Sequence, residues 1–297
     1  MGRVGEETRF PPSPFDLFLV QGEALQLPGF FVVDEVVEAV DPLYQLRLQL
    51  FRRALNRLDV IKSWKYGTVL YEAIGQHYGL RTRLLDIMSS FLTALFFATT
   101  YYSEGKYRPI TREFIAKHPE YSRGSLYFYI GRNPSSLEIH RLESQEPNPV
   151  LPIGYQPFMR CAGQYGYMLF GDREYNLVED NRFARYTFVQ EDGLSLDIFN
   201  KCRGGASVFP LDGSDLIAMI AFRVNGLRRF SLATLHESGI DEDDARLLEK
   251  DGVSFCEEDD LGLVAKEEEI NEFNRQYREF DFERYYGIKL RTRRIIR

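Results

Sequence analysis

The stretch from Ser63 to Tyr102, SWKYGTVLYEAIGQHYGLRTRLLDIMSSFLTALFFATTYY, limits the possible folds more than any other part of this chain. Its first half has Tyr66, Leu70, Ala73, Ile74 and then His77 or Tyr78 at three- and four-residue intervals, the spacing of one inward helical face. Gly79 stands where that helix should end, because glycine takes the left-handed conformation without a Cβ penalty. A polar turn follows, with Arg81, Thr82, Arg83 and Asp86 interrupted only by Leu84 and Leu85. Charges in a turn between two buried helices need partners. Arg83 and Asp86 are therefore expected to pair as a buried strut, and Asp86 also to cap the next helix through the amide of Met88 or Ser89. From Phe91 to Tyr102 apolar residues fall on every side. Twelve residues are too few to span a bilayer, so the spacing predicts a central buried helix over about 90–102.

Gln76-His77-Tyr78-Gly79, one spacer, Arg81-Thr82-Arg83-Leu84-Leu85-Asp86 and then Ala94-Leu95-Phe96-Phe97-Ala98 resemble the signature of the FRG domain, a bacterial and phage family. That signature reads Q-H-Y-G-L-P-T-R-L-L-D followed by an A-L-x-F-A helix. Arg81 departs from it, since the family has proline there. The family's Phe-Arg-Gly lies on an early strand, and Val20-Gln21-Gly22-Glu23 is the preferred counterpart. The arginine has then become Gln21, which keeps hydrogen bonding but loses the cationic fork that grips phosphate or carboxylate. Phe51-Arg52-Arg53 is the competing candidate, within the helical pattern Leu43, Leu46, Leu50, Ala54. A later segment, Phe158 to Phe170, resembles a second family element, in which Arg160 and Gln164 share a helical turn.

The resemblance implies an α+β fold, a mixed sheet with packed helices, similar in layout to ADP-ribosyltransferase-like domains that bind NAD. It implies a pocket in which His77 and Arg83 take catalytic roles. Gln21, Gln76, Arg81, Arg160 and Gln164 would contact an anionic or nucleotide-like substrate, and with Gln21 in place of the arginine turnover is expected to be weak or absent unless Arg52 or Arg81 takes its place. A late acidic residue is unassigned, Glu174 and Glu191 being the candidates. Family context is bacterial and phage conflict systems. Three readings stay open: an NAD-dependent transferase, a binding or sensor module using the same cleft without turnover, and a structural protein that contacts a nucleic acid or protein target.

Along the chain, residues 1–14 read as a polar lead-in with Pro11, Pro12 and Pro14. The family-like domain is expected over 15–252, and an acidic linker, an amphipathic helix (Lys266 to Tyr286) and a basic tail over 253–297. Strands are expected at Phe15 to Val20, Ser125 to Ile130, Met168 to Phe170 and Leu216 to Val224, helices at Asp34 to Arg57 and Lys62 to Tyr78, and a short helix at Arg112 to Lys117. With 23 Phe and 18 Tyr the interior should be rich in aromatic rings. A net charge of -7 speaks against a protein that coats nucleic acid, yet leaves room for local contact by the cations from Lys289 to Arg297. Cys161, Cys202 and Cys256 are far apart and odd in number, which suits free thiols in a reducing cytosol. The four histidines, His77, His118, His140 and His236, have no ligand spacing, so no metal site is expected. No signal core or membrane span is read, and a cytoplasmic protein without membrane contact is expected.

Overall fold

The computed structural model describes residues 17–21, 42–65, 67–103, 106–130, 150–154, 156–164, 166–170, 176–210 and 213–277. In chain order the elements are β1 (Leu17–Gln21), α1 (Pro42–Leu55), α2 (Asp59–Lys62), α3 (Tyr71–His77), β2 (Leu84–Met88), α4 (Phe91–Thr99), β3 (Thr100–Ser103), β4 (Lys106–Pro109), α5 (Arg112–Lys117), β5 (Arg123–Tyr129), β6 (Val150–Pro152), α6 (Met159–Gly163), β7 (Gly166–Phe170) and β8 (Phe183–Val189). They continue with α7 (Asp192–Lys201), α8 (Asp215–Gly226), β9 (Arg229–Ser231), α9 (Leu232–Ser238), α10 (Glu242–Lys250), β10 (Ser254–Cys256), α11 (Leu261–Val264) and α12 (Glu267–Tyr277). The class is α+β.

Six strands form one antiparallel sheet in the order β6-β7-β2-β1-β5-β8. Strands β3 and β4 form a separate hairpin, and β9 pairs in parallel with β10. Strand β2, next to the centre, carries the polar signature into the sheet. Its register sets Asp86 opposite Met168 and Met88 opposite Gly166.

Three expectations are corrected. The segment 84–88 is a strand, where a turn between helices was expected. Arg83 stands just before the strand and Asp86 within it, and the two do not pair. Arg83 lies instead 3.6 Å from Glu72 Oε1, and Ser90 caps α4 by accepting from the Thr93 amide. Second, residues 215–226 are a helix, where a strand was expected at Leu216 to Val224. Leu216, Ile217, Ile220, Ala221 and Val224 are its buried face, while Phe222 is 78% exposed. A run of nine mostly apolar residues suits either element, and this spacing decides for the helix. Third, α4 stops at Thr99. Thr99 and Thr100 hydroxyls donate to the Leu95 and Phe96 carbonyls at 2.7 Å, closing the last turn, and Thr100 to Ser103 continue as β3.

Helix α4 is buried through Ala94, Phe96 and Ala98, with Phe91 and Leu92 exposed at its start. It fills the space between the sheet and α7, where Phe96 stacks on Phe199 at 6.2 Å and meets Tyr107 at 5.4 Å. The largest apolar cluster is organised elsewhere, on α1. There Leu46, Leu50, Phe51 and Ala54 pack with Ile74 of α3, Ile217 and Val224 of α8, and Ile270 and Phe273 of α12. Val253, Val264 and Tyr277 join the same cluster, so packing runs on without a break across residue 252. The lead-in 1–14, residues 34–41 and the basic tail lie outside the described residues.

Candidate functional site

Helix α3 ends as its sequence requires. Gly79 has φ +92°, and the Leu80 amide returns to the Gly75 carbonyl at 2.8 Å. This closure leaves His77, on the last turn, pressed against β7 and only 6% exposed. Its Nδ1 lies 2.6 Å from Gln164 Oε1, and the Gln164 amide nitrogen donates to the Val208 carbonyl at 3.2 Å. The other ring nitrogen, Nε2, is buried and has no hydrogen-bond partner among the described residues. A Cβ at Gly166 would stand 3.0 Å from Nε2, so glycine is what lets the ring sit against the strand.

Arg160 begins the turn that ends at Gln164, whose amide donates to the Arg160 carbonyl at 2.9 Å. The Arg160 guanidinium lies 4.5 Å from the Tyr78 ring and 5.7 Å from that of Phe209, and Nη1 donates to the His77 carbonyl at 3.4 Å. Its Nε is buried and, among the described residues, unpartnered. Asp86 is the third incomplete group: Oδ1 is buried without a partner among the described residues. Burial pushes the Asp86 carboxyl above the usual carboxylate range, partly offset by the charge of His77 and by a hydrogen bond from Gln76. Gln76 also ties the turn to the strand, donating to the Leu84 carbonyl at 3.2 Å and accepting from the Thr82 hydroxyl. Tyr107 of the hairpin closes the cluster. Its hydroxyl is pushed up by burial, then by Tyr102 and Asp86, and is drawn back by Arg160.

The structure thus gathers His77, Gln76, Arg160 and Gln164, and adds Asp86 and Tyr107. Asp86 was read from sequence as a strut and Tyr107 was not singled out. The signal for Asp86 was its place among Leu84, Leu85, Ile87 and Met88, a lone carboxylate in an apolar strand. Arg83 falls outside the group, half-exposed beside Glu72 and 5.9 Å from the Tyr44 ring. Arg81 is exposed; its amide donates to Asn225 Oδ1, and the Asn225 side chain donates to the Gly79 carbonyl, so α8 clamps the turn. Gln21 pairs with Ser125. Its strand β1 lies between β2 and β5, next to the strand that carries Asp86. Arg52 is exposed, 5.4 Å from the Tyr71 ring. Glu191 is exposed before α7, and Glu174 lies outside the described residues.

An open groove of about 630 Å³ lies apart from this cluster, lined by Arg57, Lys62, Glu267 and Arg275 among others. Its charges are matched, Arg57 with Glu267 and Lys62 with Asp59 in the lining and Arg275 with Glu272 beside it. Among the described residues no group of histidines, cysteines and carboxylates is placed to hold a metal ion. No helix among them is long and apolar enough to cross a membrane.

No curated protein and no solved structure matches the chain. A family model does match, that of the FRG domain, over residues 37–106, from just before α1 to the first residue of β4. Gln76, His77 and Asp86 fall inside that segment, and Arg160 and Gln164 reach the same cluster from outside it, so the chain carries an FRG domain whose signature residues line the polar cluster at the end of α3.

Proposed function

We propose that this FRG-domain chain is a binding module of a bacterial or phage conflict system, and that it holds a nucleotide-like, anionic ligand at the cluster of His77, Asp86 and Arg160. One observation carries the reading: His77 Nε2, Asp86 Oδ1 and Arg160 Nε are all buried and all lack a hydrogen-bond partner among the described residues. Each such group costs about 1–3 kcal/mol, and native proteins keep few of them. Three in one neighbourhood fit a site completed by a bound molecule with both donors and acceptors. The guanidinium supports an anionic partner, and the rings of Tyr78, Phe209 and Tyr107 suit a planar group beside it. Binding is favoured over NAD-dependent transfer because glutamine at position 21 supplies no cation to grip a dinucleotide.

The test is a calorimetric titration with NAD, ADP-ribose and short oligonucleotides. Wild type is expected to bind ADP-ribose or NAD, and His77→Ala and Arg160→Met to lose at least tenfold in affinity, about 1.4 kcal/mol. Wild type that binds none of these probes would overturn the reading.

A further inference from the structure

We infer that Gln164 is a positioning residue: it holds His77 as the Nδ1–H tautomer and so makes Nε2 the bare acceptor that receives a hydroxyl of the ligand. The inference rests on the ligand site proposed above and names the chemistry that site recognises.

The argument begins at Val208. Its carbonyl can only accept, so the Gln164 group 3.2 Å away must be the amide nitrogen. That fixes the orientation of the amide and leaves Oε1, an acceptor, facing His77 Nδ1 at 2.6 Å. Were Nδ1 the unprotonated nitrogen, two acceptors would face each other at that distance. Were the amide reversed, the same conflict would arise at Val208. In the neutral imidazole the hydrogen therefore belongs on Nδ1, and Nε2 carries a lone pair. The backbone supports the relay at both ends. Gln164 ends the turn begun by Arg160, and Gly166, two residues on, leaves room for the ring beside the strand.

Nε2 so held is a hydrogen-bond acceptor with nothing to accept. Its complement is a hydroxyl or N–H group. Arg160, tethered to the His77 carbonyl, has the opposite need, since its unpartnered Nε is a donor seeking an acceptor. A molecule that offers a hydroxyl close to an anionic oxygen satisfies both, and a ribose phosphate is the simplest class that does so. Asp86 does not substitute for the ligand at Nε2, since no hydrogen bond joins the two groups.

Long-range proton–nitrogen correlation spectra of protein with ¹⁵N-labelled histidine read the tautomer directly. They are recorded at about pH 8, above the ordinary histidine range, with His77 assigned against His77→Ala. Wild type should show a protonated Nδ1 and an unprotonated Nε2, and Nε2 should shift when ADP-ribose is added. Gln164→Met should give a mixture of tautomers and at least tenfold weaker ADP-ribose binding, while Gln164→Glu, which still offers Nδ1 an acceptor, keeps the wild-type tautomer. A protonated Nε2 in wild type, or an unchanged tautomer in folded Gln164→Met, would refute the positioning role. The wild-type spectrum decides even where the variant does not fold. If the tautomer is as inferred but wild type binds no ADP-ribose, it is the ligand assignment that fails.

Discussion

Asp86 bears a carboxylate in a strand whose other members are leucine, isoleucine and methionine, and the groups beside it do not neutralise it fully. Because its pKa is raised on folding, the protonated form is the one the native state prefers. Stability from this group is complete below the unfolded value near 3.8 and is lost as pH rises through the higher folded value. At neutral pH Asp86 is therefore expected to cost stability, the reverse of a strut. Asp86→Asn keeps the shape and removes the charge, so its melting temperature at pH 7 should exceed that of wild type by about 2–4 °C per kcal/mol recovered. The gain should shrink as pH falls toward 4. A variant that melts below wild type at pH 7 would mean that Asp86 has a partner in the native state. If the cluster is a ligand site, the same variant should bind ADP-ribose less well, the usual conflict between a stable interior and a working one.

At the scale of elements, α3, α4 and α5 show what the sequence made legible. The last two turns of the helix expected over Lys62 to Tyr78, its glycine stop, the apolar helix after it and the short α5 follow from spacing, and so do β1, β5 and β7 within one or two residues, whereas Ser63 to Lys65 and Gly67 to Leu70, expected in the same helix, are not helical. What was hidden depended on partners far along the chain. β2 is extended because β1 and β7 flank it, which is not written locally in LLDIM, while in DLIAMIAFRVNG the apolar spacing admits both elements until the face that packs on α1 and α11 is known. The cluster was legible in part. His77 and Arg160 announced themselves by signature, but Asp86 was misread because a turn and a strand place positions 83 and 86 differently. The helical reading of 215–226 is checked by two substitutions. Ile217→Ala should cost about 2–5 kcal/mol, since Ile217 is fully buried, whereas Phe222→Ser, at 78% exposure, should stay within about 0.5 kcal/mol. Similar losses at both positions would contradict the assignment. Arg53 supplies a second check, on how α1 holds the C-terminal elements. It donates to Ser231 Oγ at 3.0 Å, to Thr234 Oγ1 and to Asp260 Oδ1 at 2.9 Å, while the buried Asp260 also accepts the Ser231 amide at 2.8 Å. Removing one member leaves a buried charge or donors unmatched, so Asp260→Ala should destabilise by about 3–5 kcal/mol in denaturant unfolding. A loss under about 1 kcal/mol would show that water replaces the aspartate.

Over the whole molecule, the last described helix returns to the first. α12 packs Ile270, Phe273 and Tyr277 into the cluster built on α1, and Tyr277 stacks on Phe273 at 4.8 Å. A charged clamp holds the same closure. Arg223 of α8 grips Glu269 of α12 with two hydrogen bonds, 2.7 and 2.8 Å, and also donates to the Val264 carbonyl at 3.0 Å. The hydrogen bonds from Arg223 hold the Glu269 carboxyl at about 2, well below its ordinary 4.5. A depressed carboxylate contributes stability that is fully present above the unfolded value and is lost as pH falls through the folded one, so the window runs from about 4.5 down to about 2. The two side chains are 28% and 25% exposed, so solvent screens part of the gain, which should be about 1–2 kcal/mol at pH 7. Glu269→Gln isolates it, because glutamine resembles the protonated acid. The variant should melt a few degrees below wild type at pH 7, and the difference should narrow steadily below about pH 4.5 as wild type takes up the proton. A difference that stays constant down to the lowest pH at which both proteins fold would show that Glu269 acts through packing, and that the clamp between α8 and α12 is not electrostatic.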